Sequence, residues 1–400
     1  MKFSLLLFTA SALAAPKQQR RDVQADVRDL PVVREGSALL LDGKPWKAVG
    51  PNVFWLGLDE DAGYPTKGRI TEAMATVKAL GGTAIRAHTL GVSVEHPLSV
   101  MPSPGQVNEK AFDTIDWAVY QAREYGLRLL VPLTDNWDYY HGGKYTFLRW
   151  AGFALTQNRD SKNPQIQQFY TNATIVASFK DYIQKLVTHV NQYTNISYAD
   201  DPTIFAYETG NELEGPVSRD LDVPVAWVSE IGKLLKSLAP KKLVVDGTYG
   251  VSKAHLDVPE LDIFSNHGYP VSVSKLQSDL SLVATVNKTF FAGEYTWNSQ
   301  AGGDSSLASF FQAIEQSPIA SGDMFWSLFG HNVPDCKTFV NHNDGLTLQL
   351  GNPANSAFTN SRIQLIRQHF VKMSQGLTIA ADAALPVVPC PAPEVPADDN

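Results

Sequence analysis

The chain has 400 residues, of which 44% are hydrophobic and 18% are charged, and its formal net charge is −8 at pH 7. These values indicate a globular protein with a large core, and they exclude an intrinsically disordered chain. An acidic protein is a poor candidate for binding nucleic acid or an anionic membrane, so we expect neither as a partner.

The N-terminus has the pattern of a secretory signal. Residues 1–14 combine a basic second residue, an apolar run and an Ala-Leu-Ala end, which predicts a cleaved signal peptide. Residues 15–36, which include the dibasic pair Arg20-Arg21, are interpreted as a leader or propeptide. No later apolar run reaches the roughly 18 residues that span a bilayer, so we expect a secreted, extracellular protein, and we take it to be a monomer. Three sequons for N-linked sugar agree with this route, at Asn172, Asn195 and Asn287.

The chain contains two cysteines, Cys336 and Cys390. In an oxidising compartment they could form a disulfide that attaches the Pro-rich tail, residues 381–400, to the body of the protein, or they could remain two free thiols. We expect the disulfide.

Short apolar or β-branched runs alternate with amphipathic stretches along the chain. Eight runs are predicted to be strands, at residues 47–55, 83–89, 127–135, 203–210, 242–248, 261–269, 289–295 and 322–329. Helices are predicted where apolar residues recur at three and four positions, at residues 70–81, 111–126, 174–192, 225–239 and 307–317. This alternation predicts an α/β fold, a (β/α)8 TIM barrel that forms a single catalytic domain over residues 37–380.

Polar residues and tryptophans collect at the ends of the predicted strands, where the active site of such a barrel is built. In chain order they are Asn52, Trp55, Arg86, His88, Asp135, Asn136, Trp137, Asn211, Glu212, Asp246, His267, Tyr269, Glu294, Trp297 and Trp326. A carbohydrate cleft needs flat faces for sugar rings, hydrogen-bond partners for hydroxyls and a pair of carboxyl groups. All three are present, so the sequence favours a glycoside hydrolase.

The candidate carboxyl pair consists of Glu212, in Gly-Asn-Glu after the fourth strand, and Glu294, in Ala-Gly-Glu at the seventh. Two other glutamates lie near Glu212, but Glu208 falls inside the strand and Glu214 beyond its end. Carboxyl groups about 5–5.5 Å apart would predict retention of anomeric configuration, and groups roughly 6.5–9.5 Å apart would predict inversion.

The two carboxyl groups must differ in pKa, because one begins as an acid and the other as an ion. Arg86 and Tyr269 are expected near Glu294, where they would favour its ionised form. Arg86 also lies within an apolar strand and therefore requires a carboxylate partner. Glu212, in the field of the Glu294 carboxylate, is expected to hold its proton longer.

These strand ends together resemble clan A glycoside hydrolases, specifically family 5. The resemblance rests on Gly-Asn-Glu, the later Gly-Glu, an arginine at the second strand, His-x-Tyr at the sixth and a tryptophan at the eighth. Residues 133–143 and 169–194 further resemble the fungal endo-β-1,4-mannanase branch, and the likeness covers about residues 37–375. It implies that Glu212 is the acid/base and Glu294 the nucleophile. It also implies a shell around the reacting sugar made of Arg86, Asn211, His267, Tyr269 and Trp326.

The expected activity is hydrolysis of mannan and glucomannan by an endo-β-1,4-mannanase. Two positions depart from that branch, since Leu213 follows Glu212 where proline is usual, and Ala87 follows Arg86 where a bulkier residue is usual. An exo-β-mannosidase or a β-glucanase on the same barrel therefore stays open, and a groove blocked by loop 136–165 would favour exo action. A non-catalytic carbohydrate-binding cell-wall protein is the other alternative, although the presence of both glutamates argues against it.

Further sugar-binding candidates are Asn136 and three tryptophans that could equally pack in the core, namely Trp55, Trp137 and Trp297. We expect no metal and no cofactor. The polar side chains of loop 135–141 fit hydrogen bonding to hydroxyls, and hydrolysis by two carboxyl groups requires no ion.

Overall fold

The computed structural model describes residues 26–138, 141–155, 163–213 and 223–391. The expected signal peptide, the dibasic pair and Glu214 lie outside these residues. Among the helices of the described ranges, none is long and apolar enough to cross a membrane. The domain limits expected from the sequence stay a prediction, and strand β1 (Val33–Glu35) lies within the span interpreted as a leader.

A small antiparallel sheet precedes the barrel and is formed by β1, β2 (Ala38–Leu41) and β3 (Lys44–Pro45). Leu39 of β2 packs in one cluster with Ala48 and Ala84, which are the first residues of two barrel strands. This sheet therefore covers the N-terminal end of the barrel, opposite the end at which the active site is expected.

Eight parallel strands form the central sheet: β4 (Ala48–Pro51), β5 (Ala84–Arg86), β6 (Arg128–Pro132), β7 (Ile204–Glu208), β8 (Leu243–Asp246), β9 (Ile263–Gly268), β10 (Thr289–Tyr295) and β11 (Ala320–Phe325). Their spatial order is β4-β11-β10-β9-β8-β7-β6-β5. Closure between β4 and β5 comes from hydrogen bonds from Thr83 N to Val49 O at 2.8 Å and from Val53 N to Arg86 O at 3.0 Å. The predicted TIM barrel is confirmed, with each predicted strand present within a few residues of its expected limits.

The helices surround the barrel: α1 (Lys67–Ala79), α2 (Phe112–Glu124), α3 (Lys144–Trp150), α4 (Gln168–Thr171), α5 (Ala173–Thr188), α6 (Val225–Leu238), α7 (Val273–Ala284), α8 (Leu307–Gln316) and α9 (Ala357–Gln375). The five predicted helices correspond to α1, α2, α5, α6 and α8. Strands β12 (Leu328–Phe329) and β13 (Leu348–Gln349) pair beyond the barrel. They bracket the loop 330–347 that lies over the end of β11.

The barrel strands are mostly apolar because most of their residues are buried, either inside the barrel or under the helices. One ion network lies between the barrel and the helices, where His369 of α9 contacts Asp323 of β11 at 2.7 Å and Glu315 of α8 at 2.8 Å. Burial alone would lower the pKa of His369, but the two carboxylates outweigh it and raise that pKa to about 9.

Cys336 and Cys390 form a disulfide with their Cα atoms 6.0 Å apart. The expected bridge is confirmed. It attaches the C-terminal segment to loop 330–347, at the end of the barrel where the predicted site residues lie.

Candidate active site

Local backbone irregularities aim the two catalytic candidates. The pairing of β9 with β10 shifts register between Ala292 and Glu294, so Gly293 forms a bulge, which re-aims the following side chain. A Cβ on Gly293 would lie 2.4 Å from Ser265 Oγ and 2.9 Å from His267 Nε2, so only glycine allows this close approach. Glu212 follows the end of β7 in a left-handed conformation with φ of 48°, a costly geometry for a non-glycine residue that is typical of functional sites.

Glu212 and Glu294 face each other across the barrel end. One carboxylate oxygen from each, together with a ring nitrogen of His267, lies within 4.8 Å of the others. This separation is shorter than the roughly 6.5 Å at which inverting pairs begin. This short oxygen–oxygen separation favours the closer spacing of retaining pairs.

Arg86 organises the floor of the site. The side chain is fully buried and donates to Glu294 Oε1 at 2.6 Å, Glu208 Oε2 at 2.7 Å and Asn211 Oδ1 at 2.8 Å. The expectation that Arg86 pairs with Glu294 is confirmed, and Glu208, the glutamate inside the strand, is a second carboxylate partner of Arg86. A further bond of 3.1 Å reaches Asn52 Oδ1, so one cation fixes four side chains.

His267 lies between the two catalytic candidates. Its Nδ1 is 2.6 Å from Glu212 Oε1 and 3.6 Å from Glu294 Oε2. Burial would lower the pKa of His267, but the carboxylates of Glu294 and Glu212 outweigh it and raise that pKa. The protonated form of His267 is therefore favoured beside Glu212.

The direction of the two carboxyl pKa shifts is the reverse of that expected from the sequence. Burial acts to raise the pKa of Glu212, but His267, the Trp137 indole and Arg86 together lower it. Burial and the neighbouring Glu212 raise the pKa of Glu294 despite His267, Arg86 and Tyr269. The expectation failed because His267 leans toward Glu212, a placement that strand spacing does not reveal.

Two predicted aromatic residues touch the catalytic candidates directly. The Trp137 indole N–H donates to Glu212 Oε2 at 2.6 Å, and the Tyr269 hydroxyl donates to Glu294 Oε2 at 2.8 Å. Tyr269 is 39% exposed, which leaves its ring accessible at the rim of the site. Asn136, the neighbour of Trp137, is buried, and its backbone N–H donates to Asn211 O at 2.9 Å.

Trp326 lies at the end of β11 with its ring parallel to that of Phe54, the centroids 5.6 Å apart. Its indole N–H donates to Asp344 Oδ2 at 2.7 Å. His88 packs edge-on against the same indole at 5.5 Å, and its Nε2 lies 3.8 Å from Glu294 Oε1. Trp326 therefore forms a fixed wall beside the nucleophile candidate.

Trp55 and Trp297 are not sugar platforms, which corrects their inclusion among the binding candidates. Trp55 is fully buried, donates to Leu328 O at 3.0 Å and packs under the guanidinium of Arg69. Trp297 is buried and donates to Leu346 O at 2.7 Å. Both rings pack in the core beneath the loops, where each indole N–H donates to a backbone carbonyl.

Four residues of the site were given no role in the sequence analysis, although Asn52 and His88 were noted at strand ends and Glu208 within a strand; the fourth is Asp344. The first three were visible as polar positions in or after apolar strands, which is the signal that could have found them. Asp344 gave no such signal, because it reaches Trp326 only through the fold of loop 330–347.

Among the described residues, the donor atoms of Glu212, His267 and Glu294 are close enough to hold a metal ion. Of the loop residues considered for a metal, Asp138 pairs with Arg149 at 2.7 Å and one oxygen of Asp135 accepts a bond from Asn211 at 3.0 Å. Loop 136–165, which could block the groove, lies partly outside the described residues.

Comparison with solved structures supports the fold. An endo-beta-1,4-mannanase from Thermotoga petrophila aligns with a TM-score of 0.69 at 21% identity, covering 85% of this chain and 79% of that one. An endo-1,4-beta-mannanase from Rhizomucor miehei aligns with a TM-score of 0.68 at 22% identity, covering 86% of this chain and 99% of that one. At such identities the likeness shows the barrel fold.

Sequence comparison identifies relatives in plants. The mannan endo-1,4-beta-mannosidase 8 of Oryza sativa subsp. japonica is 32% identical over 238 residues, which are 58% of this chain and 61% of the rice protein. The putative mannan endo-1,4-beta-mannosidase P of Arabidopsis thaliana is 29% identical over 72% of this chain and 68% of that protein. The family model described as GH family 5 beta-mannosidase-like matches residues 30–267. The chain therefore belongs to the β-mannosidase-like group of glycoside hydrolase family 5.

Proposed function

We propose that the protein is a secreted endo-β-1,4-mannanase that cleaves mannan and glucomannan with retention of anomeric configuration. The observation that carries this proposal is the separation of less than 4.8 Å between oxygens of Glu212 and Glu294, at the end of a barrel whose floor is fixed by Arg86. The names of the rice and Arabidopsis relatives support the substrate class.

In the first step, a Glu294 oxygen attacks the anomeric carbon while Glu212 gives its proton to the glycosidic oxygen. The bond from the anomeric carbon to the leaving sugar breaks, and a covalent glycosyl ester on Glu294 forms. Arg86 and Tyr269, which donate to the two oxygens of Glu294, hold the carboxylate for in-line attack. Asn211 is placed to contact the 2-hydroxyl of the reacting sugar.

His267 supplies the proton that Glu212 needs. The unliganded site favours the ionised form of Glu212, so the acid must be formed as substrate binds. A shift of the proton from His267 Nδ1 to Glu212 Oε1, across 2.6 Å, neutralises both groups. Entry of the sugar removes water from Glu212, whose side chain is 11% exposed, and desolvation favours that neutral pair.

In the second step the charge on Glu294 has been replaced by the neutral ester. Glu212, now ionised, takes a proton from water, and the resulting hydroxide oxygen attacks the anomeric carbon from the face that the leaving sugar occupied. The ester bond breaks and Glu294 is released as a carboxylate.

Product sizing tests this function. The secreted full chain is incubated with linear mannan, glucomannan and cellulose, and early products are sized while their anomeric form is followed by NMR. We expect a mixture of short β-configured oligosaccharides from the two mannans. Mannose as the sole product would indicate an exo-β-mannosidase, and activity restricted to cellulose would indicate a β-glucanase. Binding without cleavage would indicate a non-catalytic carbohydrate-binding protein.

Secretion, glycosylation and the monomeric state are part of the same proposal. Asn195 and Asn287 are exposed, whereas Asn172 accepts bonds from Thr174 N and Ile175 N at the start of α5. Expression with the natural N-terminus in a eukaryotic host, followed by N-terminal sequencing, glycopeptide mass spectrometry and light scattering, measures all three. Retention of the chain inside the cell would contradict the secretory route.

A further inference from the structure

Asp135 follows β6 and occupies a fully buried position beside the catalytic pair. Its Oδ1 accepts two hydrogen bonds, one from the backbone N–H of Trp137 at 3.0 Å and one from the side-chain amide of Asn211 at 3.0 Å. Its carbonyl oxygen accepts from the backbone N–H of Lys144 at 3.0 Å. One side chain therefore ties together the segments that follow two neighbouring strands.

The two groups held by Asp135 are the ones that reach the catalytic glutamates. Trp137 donates its indole N–H to Glu212. Asn211 accepts from Arg86, which donates in turn to Glu294. A displacement of the Asp135 oxygen would therefore move the partners of both carboxylates together.

The second oxygen of Asp135 indicates the charge of the group. Among the described residues, Oδ2 is buried without a hydrogen-bond partner, and no cation forms an ion pair with Asp135. A carboxylate in such a place would be an uncompensated buried charge, which is costly. A neutral carboxylic acid avoids that cost.

We propose that Asp135 is a positioning residue that acts as a neutral carboxylic acid, its one accepting oxygen fixing Trp137 against Glu212 and Asn211 against Arg86. The catalytic part of this inference rests on the proposed function. Burial, with repulsion from Glu212 and Glu294, raises the pKa of Asp135 well above its usual value, in agreement with the geometry. The charged or titratable groups that surround Asp135, directly or through Asn211, are Glu212, Glu294, Arg86, His88 and Lys144.

The activity test compares D135N with D135A. D135N keeps the accepting oxygen and is neutral, so we expect its kcat on mannan to stay within about threefold of wild type. D135A loses both bonds, and we expect its kcat to fall by roughly tenfold or more. The matched control is D246N, because Asp246 is also a buried aspartate at a strand end with one unpartnered oxygen, yet it contacts His255 and no catalytic glutamate. Its kcat should equal that of wild type.

A stability test needs no activity, which separates failure of this inference from failure of the proposed function. A group whose folded pKa is raised loses its stabilisation as pH rises through that pKa. The unfolding free energy of D135N should therefore increase relative to wild type between pH 4 and pH 7. A difference that stays flat or falls would show a charged Asp135 and overturn the proposal. So would a D135N enzyme as slow as D135A, or a folded D135A with normal kcat.

Discussion

The hydrogen bond from Trp137 to Glu212 sets the pH range of the proposed acid. Replacement of Trp137 with phenylalanine keeps an aromatic ring and removes the indole N–H that lies 2.6 Å from Glu212 Oε2. A hydrogen bond to a charged group contributes about 1.5–3 kcal/mol. Because one pKa unit corresponds to about 1.36 kcal/mol, its loss should raise the pKa of Glu212 by roughly 1–2 units. Glu212 is mostly buried, so little water can replace the donor.

The pH profile of kcat/KM measures this change. The free enzyme must hold one proton on the His267–Glu212 pair for the acid to form, so the basic limb reports the loss of that proton from the coupled pair. We expect the basic limb of W137F to move to higher pH by about one unit. The matched control is W297F, which also loses an indole donor but one that bonds Leu346 O, away from the carboxylates. A W137F limb that stays in place, or that moves to lower pH, would refute the reasoning.

Three further changes test Arg86, the ion network of His369 and the disulfide. R86K removes a fully buried guanidinium that bonds four side chains. We expect kcat/KM to fall by roughly a thousandfold and the unfolding free energy to fall by about 3–5 kcal/mol. Near-normal values of both would contradict the role of Arg86. His369 has a folded pKa of about 9 against its ordinary value of 6.5, so its stabilisation of roughly 3 kcal/mol is complete below pH 6.5 and is lost as pH rises through 9. The unfolding free energy of H369Q should therefore approach that of wild type between those values, and a constant difference would argue against a protonated His369. The double change C336S/C390S opens a link across 54 residues and should lower the unfolding free energy by about 2–4 kcal/mol; an unchanged denaturation midpoint would show that the disulfide contributes nothing.

The barrel and the catalytic candidates could be predicted from the sequence because both depend on local patterns. The strands are continuous apolar runs, and the C-terminal ends of parallel strands meet at one end of a barrel. Glu294 and Arg86, far apart in the chain, were therefore expected together, and they lie 2.6 Å apart.

Side-chain direction was the part that the sequence did not reveal. Trp55 follows its strand like a cleft residue, but a bond to Leu328 O and the guanidinium of Arg69 hold it in the core. Asp344 supports Trp326 only because loop 330–347 folds back over the end of β11, and such a loop leaves no periodic pattern in the sequence. Which of the two carboxyl groups has the lower pKa likewise depends on the position of His267. Its Nδ1 lies 2.6 Å from Glu212 and 3.6 Å from Glu294, a difference that the sequence does not reveal.

Azide rescue tests the roles of the two glutamates most directly, with an aryl β-mannobioside that carries a good leaving group as substrate. Without the nucleophile, azide attacks the anomeric carbon from the face opposite the leaving group. Without the acid/base, azide instead attacks the glycosyl ester. We predict an α-mannosyl azide product from E294A and a β-mannosyl azide product from E212A. The reverse assignment, the same anomer from both variants, or turnover of E294A without azide at the wild-type rate would contradict the proposed double displacement.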